Sequence, residues 1–251
     1  QAGGDIAITA TAGPVTAEAL LAGRDLSFNA QDRIRVAGEL GAGRNAAVTS
    51  SQADVQLANA SAGGNLSLNA AQSLQVAGGA SAGGNAALTS QNAGVSAQSL
   101  LANGDINTQA AGDIAIAGEV ASGGSARFAS TGGKVDVGGA VYGAQGATVQ
   151  GSSVTLGQGL QSGGAATITA STGDITSGAG IASVGDLSLQ SEGATQVAGS
   201  VQSAGQVALQ SGGDTRINGD LIAEQGLQAQ VGGSLVANTV ASGGNASLAA
   251  G

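Results

Sequence analysis

Cysteine, histidine, methionine and tryptophan do not occur in this chain, proline occurs once, and aromatic residues make up 1% of it. Without His or Cys, nucleophile systems built on Ser-His or Cys-His pairs are excluded. The lack of cysteine suits an exported protein that does not rely on disulfides. A thick globular core is excluded as well, because domains of this length fill such cores with Leu, Ile, Phe and Met. Charged residues are scarce at 9%, and they sum to −9. That balance opposes nucleic acid or an anionic membrane as a partner. No apolar run approaches the roughly 18 residues of a membrane-spanning helix.

What the 251 residues do contain is glycine, 46 of them, and a hydrophobic fraction of 42% carried mostly by Ala. Single Val, Ile and Leu residues are spaced between Gly and Ser, which suits a core one side-chain layer deep. Disorder is the rival reading of a Gly/Ser/Ala-rich chain. The low charge content and a strict internal repeat argue against it. A small-Gly-x motif, usually followed by Asp or Asn, recurs at Ala2, Ala22, Ala42, Ala62, Ala82, Ala102 and Ser122 at intervals of 20 residues. It continues less strictly at Gly143, Ser162, Ser183, Ser203, Ala223 and Ser242, with intervals of 19 to 21. About twelve coils follow in one unbroken register, so residues 1–251 read as a single repeat domain. The pattern runs through both termini, and the chain reads as an internal fragment of a larger protein.

Inside each repeat the spacing is that of strands. The fifth place holds Ile6, Leu26, Ala46, Leu66, Ala86, Ile106 and their successors, all apolar. Two residues on come Ile8, Phe28, Val48, Leu68 and Leu88, with Thr108 as the exception among thirteen. Small or polar residues separate the two places, and alternation of period two sends one face in and one out. Second pairs such as Ile34 and Val36, or Val135 and Val137, sit mid-repeat. A third apolar site (Leu20, Leu40, Leu100, Val141, Leu221) precedes each new coil. Three short strands in a coil of about 20 residues make a right-handed parallel β-helix, an all-β β-solenoid, since one coil cannot bury its own apolar face.

Stacking gives the remaining residues their roles. Coils about 4.8 Å apart make a rod on the order of 60 Å long. The turn glycines are expected to supply positive φ, and Asx to tolerate left-handed geometry beside them. Asn45, Asn65 and Asn85 fall in register there, where amides can hydrogen-bond along the stack. Thr9, Asn29, Thr49, Asn69, Thr89 and Gln109 open an outward polar ladder in the eighth place.

The repeat as written in Ala22 to Gly41, AGRDLSFNAQDRIRVAGELG, and in Ala62 to Ser81, AGGNLSLNAAQSLQVAGGAS, resembles the filamentous haemagglutinin repeat. Such repeats build the stalks of large exoproteins of Gram-negative bacteria. The resemblance implies secretion by a two-partner system through an outer-membrane transporter, then display at the cell surface. It implies a rod-like adhesin stalk that supports attachment to a host-cell receptor or glycan, or to a neighbouring bacterial surface, as a virulence factor. The stalk of a contact-dependent growth inhibition toxin is the alternative. No Arg-Gly-Asp triplet occurs, and Gly23-Arg24-Asp25 carries the letters in another order.

An enzyme is not expected. Some β-helix proteins are polysaccharide lyases or hydrolases, but these need convergent acids. Asp113, Asp136 and Asp174 occupy different places of separated coils. Gly41-Ala42-Gly43-Arg44 has the look of a dinucleotide loop but recurs as a turn with no helix after it. No cofactor and no metal site are indicated. One local feature stands out: Arg24, Arg33, Arg35 and Arg44, four of the seven cations, lie in two adjacent coils. Arg24 and Arg44 share a place and should stack on one edge, where a sulfated glycan or sialic acid could bind. Set against Asp25, Asp32 and Glu39, the same residues also describe a solvated turn. Tyr142, the lone tyrosine, is expected at a turn in a coil that gains a residue.

Overall fold

A computed structural model describes residues 1–251, all β with no helix. Thirteen first strands, from Ile6–Ala10 to Ala246–Ala250, pair in parallel as one sheet, each with its counterpart about 20 residues away. Ile6 lies against Leu26, Leu26 against Ala46, and Ala46 against Leu66. The chain therefore stacks into a β-solenoid of about twelve turns. The alternation read from the sequence is the alternation of burial: Leu26, Phe28 and Ala30 are buried in strand Leu26–Ala30, while Asn29 is exposed.

The second and third strands depart from the three-strand expectation in four coils. There they run together as Ile34–Ala42, Val55–Ala62, Leu74–Ala82 and Val95–Ala102. From Ile114–Ile116 and Val120–Ser122 onward they are separate. The merged strands cross their corners with register shifts, between Val36 and Glu39, Leu57 and Ala60, and Ala97 and Ser99. Glycine content does not sort the two kinds of coil: merged strand Leu74–Ala82 contains Gly78-Gly79, and the separate strands Val15–Ala17 and Leu20–Ala22 flank the glycine-free Glu18-Ala19.

One apolar cluster of 59 buried residues runs from Ala22 to Val231. Its largest members are Phe28 and Phe128, both 0% exposed and both in the seventh place of their coils. The core is one layer deep, as the composition requires. Serines complete it at the corners. Ser50, Ser90 and Ser130 close first strands, and each donates to a carbonyl of the coil below: Asp32, Gln72 and Gly112 at 2.9, 2.5 and 2.7 Å. Ser50 and Ser130 also accept from Ala53 and Gly133 of their own turns, so both lone groups of a buried corner are satisfied.

Thr108 is the flaw in this layer. It is fully buried between Leu88 and Phe128 of the adjoining coils, and its Oγ1 has no hydrogen-bond partner. A buried unsatisfied hydroxyl costs about 1–3 kcal/mol. Thr108→Val keeps the shape and removes the hydroxyl, so it should stabilise the rod by about 1–2 kcal/mol, read as a raised urea midpoint. A fall in the midpoint would show that the hydroxyl is satisfied.

The turn glycines serve another purpose than the expected one. Only Gly13 and Gly159 have positive φ, and no other residue type does. At Gly43 and Gly63 an added Cβ would collide with the carbonyl oxygens of Gly23 and Gly43, one coil below. Glycine is there because stacked backbones approach too closely for a side chain. Left-handed geometry, expected of the Asx residues as well, is not used.

Candidate functional site

The turn that carries Arg24 and Arg44 joins the third strand of one coil to the first strand of the next. Its third residue builds a column along the rod: Asp5, Asp25, Asn45, Asn65, Asn85 and Asp105. Each side chain uses Oδ1 to accept the backbone N–H of the next member. The distances run 3.2, 3.1, 3.0, 2.9 and 2.8 Å up to Asp105. Asp105 then takes the N–H of Ser125 at 2.8 Å. The bonds along the stack are thus from side chain to backbone, and they satisfy turn amides that a parallel ladder leaves free. The hydrogen bonding along the stack expected of Asn45, Asn65 and Asn85 is observed, with each side-chain amide oxygen accepting the next coil's backbone N–H instead of a neighbouring side-chain amide.

The two arginines belong to this column. Asp5 and Asp25 are its only adjoining carboxylates, and like charges at this spacing repel. Arg24 Nη2 reaches back to Asp5 Oδ2 at 3.1 Å, and Arg44 Nη2 to Asp25 Oδ2 at 2.5 Å and Asp5 Oδ1 at 3.9 Å. Arg44 also donates its backbone N–H to the carbonyl of Arg24, so the pair stacks on one edge as expected. Both side chains remain more than half exposed. Arg33 and Arg35 stand at a different corner, at the entry to strand Ile34–Ala42. Arg33 pairs with Asp54 at 3.5 Å, and Arg35 faces solvent between Thr16 and Gln56. The four cations form two groups.

Two turn carboxylates, Asp25 of this column and Asp214 in the turn between strands Gln206–Ser211 and Thr215–Ile217, have pKa values below the ordinary 3.8. For Asp25 the first cause is the Asn45 backbone N–H, opposed by loss of hydration and reinforced by the Arg44 guanidinium. For Asp214 it is the backbone N–H and then the hydroxyl of Ser234. A depressed folded-state value means that this stabilisation is complete above pH 3.8 and is lost as the pH falls through the folded-state values. Acid titration of the unfolding midpoint should therefore show a decline confined to pH below about 4, shallower in Asp25→Asn/Asp214→Asn. An equally steep decline in that variant would place the acid sensitivity elsewhere.

The acids considered for catalysis are turn and strand residues. Asp113 and Asp174 accept the backbone N–H groups of Lys134 and Ala194 at 2.9 and 2.7 Å. Asp136 lies in strand Val135–Val137, with Lys134 Nζ at 3.9 Å. Gly41-Ala42-Gly43-Arg44 leads into strand Ala46–Ser50 and carries no helix. No three acidic side chains gather as a metal site would need.

Tyr142 is placed differently from expectation. It lies within strand Val141–Gly143, 45% exposed. Beside it a groove of about 440 Å³ follows the rod. The exposed side chains of Tyr142, Gln161 and Gln202 stand along one bank, Gln158 on the other, and Glu119 at one end. The floor is nearly bare backbone at Ala140, Gly159 and Gly180. A run of glycine and alanine just before the third strand, in consecutive coils, was the available sequence signal. The 20-residue period of apolar residues does not reveal it, because the signal is a column of missing side chains.

The sequence pattern of the hemagglutinin repeat family matches residues 115–243, just over half of the chain. No curated protein and no solved structure gives a match. The matched stretch begins in strand Ile114–Ile116, whose coil stacks in register on the preceding ones, so the same repeat geometry extends to the N-terminal coils. The family points to a structural adhesin rather than an enzyme and to a secreted surface protein. With stacked 20-residue coils throughout and this repeat across its C-terminal half, the chain belongs to the hemagglutinin repeat family.

Proposed function

We propose that this chain is a rod segment of a secreted adhesin that supports attachment of a Gram-negative bacterium to host cells or to neighbouring bacteria. The observation that carries the reading is the single core running from Ala22 to Val231. A continuous core transmits position along the rod, which is what a stalk must do. Export through an outer-membrane transporter by two-partner secretion belongs to the same proposal, and the family supports it. So does a disulfide-free chain whose coils can form one after another, since each contacts only its neighbours.

The arginine edge is one contact within this reading. A sulfated or sialylated glycan there competes with Asp5 and Asp25 for Arg24 and Arg44, and with Asp54 for Arg33; Arg35 is open to solvent. The test is binding of the purified chain to epithelial cells and to a sulfated-glycan surface, at low and moderate salt, beside Arg24→Ser/Arg44→Ser. Saturable cell binding that persists at moderate salt and in the double variant is expected. Binding that falls with both would place the contact on the arginine edge. No binding by a chain with normal β-type circular dichroism would overturn attachment by this segment and leave it a spacer.

A further inference from the structure

We infer that the groove beside Tyr142 is a binding site for an uncharged oligosaccharide. The inference rests on the adhesin reading and names a ligand class for it.

The groove runs along the rod because the strand columns do. Tyr142 pairs with Gln161, Gln161 with Ala182, and Ala182 with Gln202. From Glu119 to Ser200 there are four coil steps, or about 19 Å at ~4.8 Å per step. The bank thus presents an aromatic ring, an amide, a methyl group and an amide at regular spacing. The floor is kept low by necessity as well as by composition: Gly159 holds φ +81°, and a Cβ there would collide with the Gly180 carbonyl. A ligand can therefore lie close against bare peptide groups.

The chemistry of the walls selects the occupant. An exposed aromatic ring offers an apolar plate for the C–H face of a pyranose, with a polar hydroxyl at its edge. Gln158, Gln161 and Gln202 each supply both donors and an acceptor, which suits hydroxyl groups that do the same. Glu119 is the one charged residue among the lining side chains, and no cation is present. Sulfated, sialylated or phosphorylated ligands are thereby disfavoured, in contrast to the arginine edge. An elongated groove of mixed polar and apolar lining with repeating amides fits a chain-like ligand whose own units repeat.

The chain reports on this site by itself, since Tyr142 is its only tyrosine and it has no tryptophan. Titration of the purified chain with cellotetraose and chitotetraose, with a heparin tetrasaccharide as the charged comparison, should change tyrosine emission saturably with at least one neutral probe. Gln161→Ala/Gln202→Ala keeps the fluorophore and should weaken that response about tenfold. Tyr142→Phe, followed by saturation-transfer NMR, should retain binding, whereas Tyr142→Ala should lose it. No saturation by either neutral probe in the millimolar range, saturation by the heparin fragment alone, or an unchanged response in the double amide variant would overturn the inference. Circular dichroism of each variant separates loss of the site from loss of the fold. Cell attachment measured on the native chain keeps the two readings apart. Full attachment with no sugar response sinks the groove alone, and a saturable sugar response without attachment sinks the adhesin reading alone.

Discussion

Phe128→Ala is expected to lower the free energy of unfolding by about 3–5 kcal/mol. The ring is 0% exposed and lies in the column Thr108, Phe128, Val149. In a core one layer deep no second shell of side chains can move in. The backbone is also pinned, because strand Ser125–Ser130 pairs with strands on both sides. The cavity should persist at nearly full size. Phe28→Ala removes the same group near the N-terminal end, where the first coil is only partly buried. In a solenoid each coil contacts only its neighbours, so the two substitutions should differ in kind. Loss at Phe28 should fray the first coils, whereas loss at Phe128 should divide the rod and split its transition in two. Urea unfolding followed by far-ultraviolet circular dichroism reads both. A single transition with an unmoved midpoint for Phe128→Ala would show that the coils collapse onto the cavity.

Replacing Asn45, Asn65 and Asn85 together by Asp is expected to cost about 3 kcal/mol at low salt. The change makes an unbroken column of carboxylates from Asp5 to Asp105 and creates four new adjoining pairs. At ~4.8 Å each pair repels by roughly 0.9 kcal/mol in water, partly offset because a carboxylate accepts the next backbone N–H more strongly than an amide does. The native column has one such pair, Asp5 and Asp25, and places both Arg24 and Arg44 against it. The diagnostic is recovery. Molar salt, with a Debye length of about 3 Å, should restore most of the lost stability, and so should protonation near pH 3. A deficit that ignores both would assign the cost to lost amide geometry rather than to charge.

The fold was legible because two periods coincide. Apolar residues at a spacing of two, repeated every 20 residues, leave parallel stacking as the arrangement that buries Leu26, Ala46 and Leu66 together. The polar column of Thr9, Asn29, Thr49 and Asn69 follows from the same register and is observed. The arginine pair was legible as a stack and its partners were not. Asp5 and Asp25 lie 19 residues from Arg24 and Arg44, a distance in sequence that becomes a contact only once the coils are closed.

The amino-acid order alone determines the length of the coil, the face each strand turns inward and the thinness of the core, because each depends on residue type at a fixed interval. The tertiary structure decides what the turns do. Glycine at Gly43 and Gly63 answers to a carbonyl one coil away. Asn45 takes a backbone N–H and not its neighbour's amide. The second and third strands merge in four coils and stay apart in the others, and Tyr142 faces a groove made by side chains that are absent. These outcomes are set by ångström-scale distances between stacked backbones, and a repeat fixes which residues meet without fixing how closely.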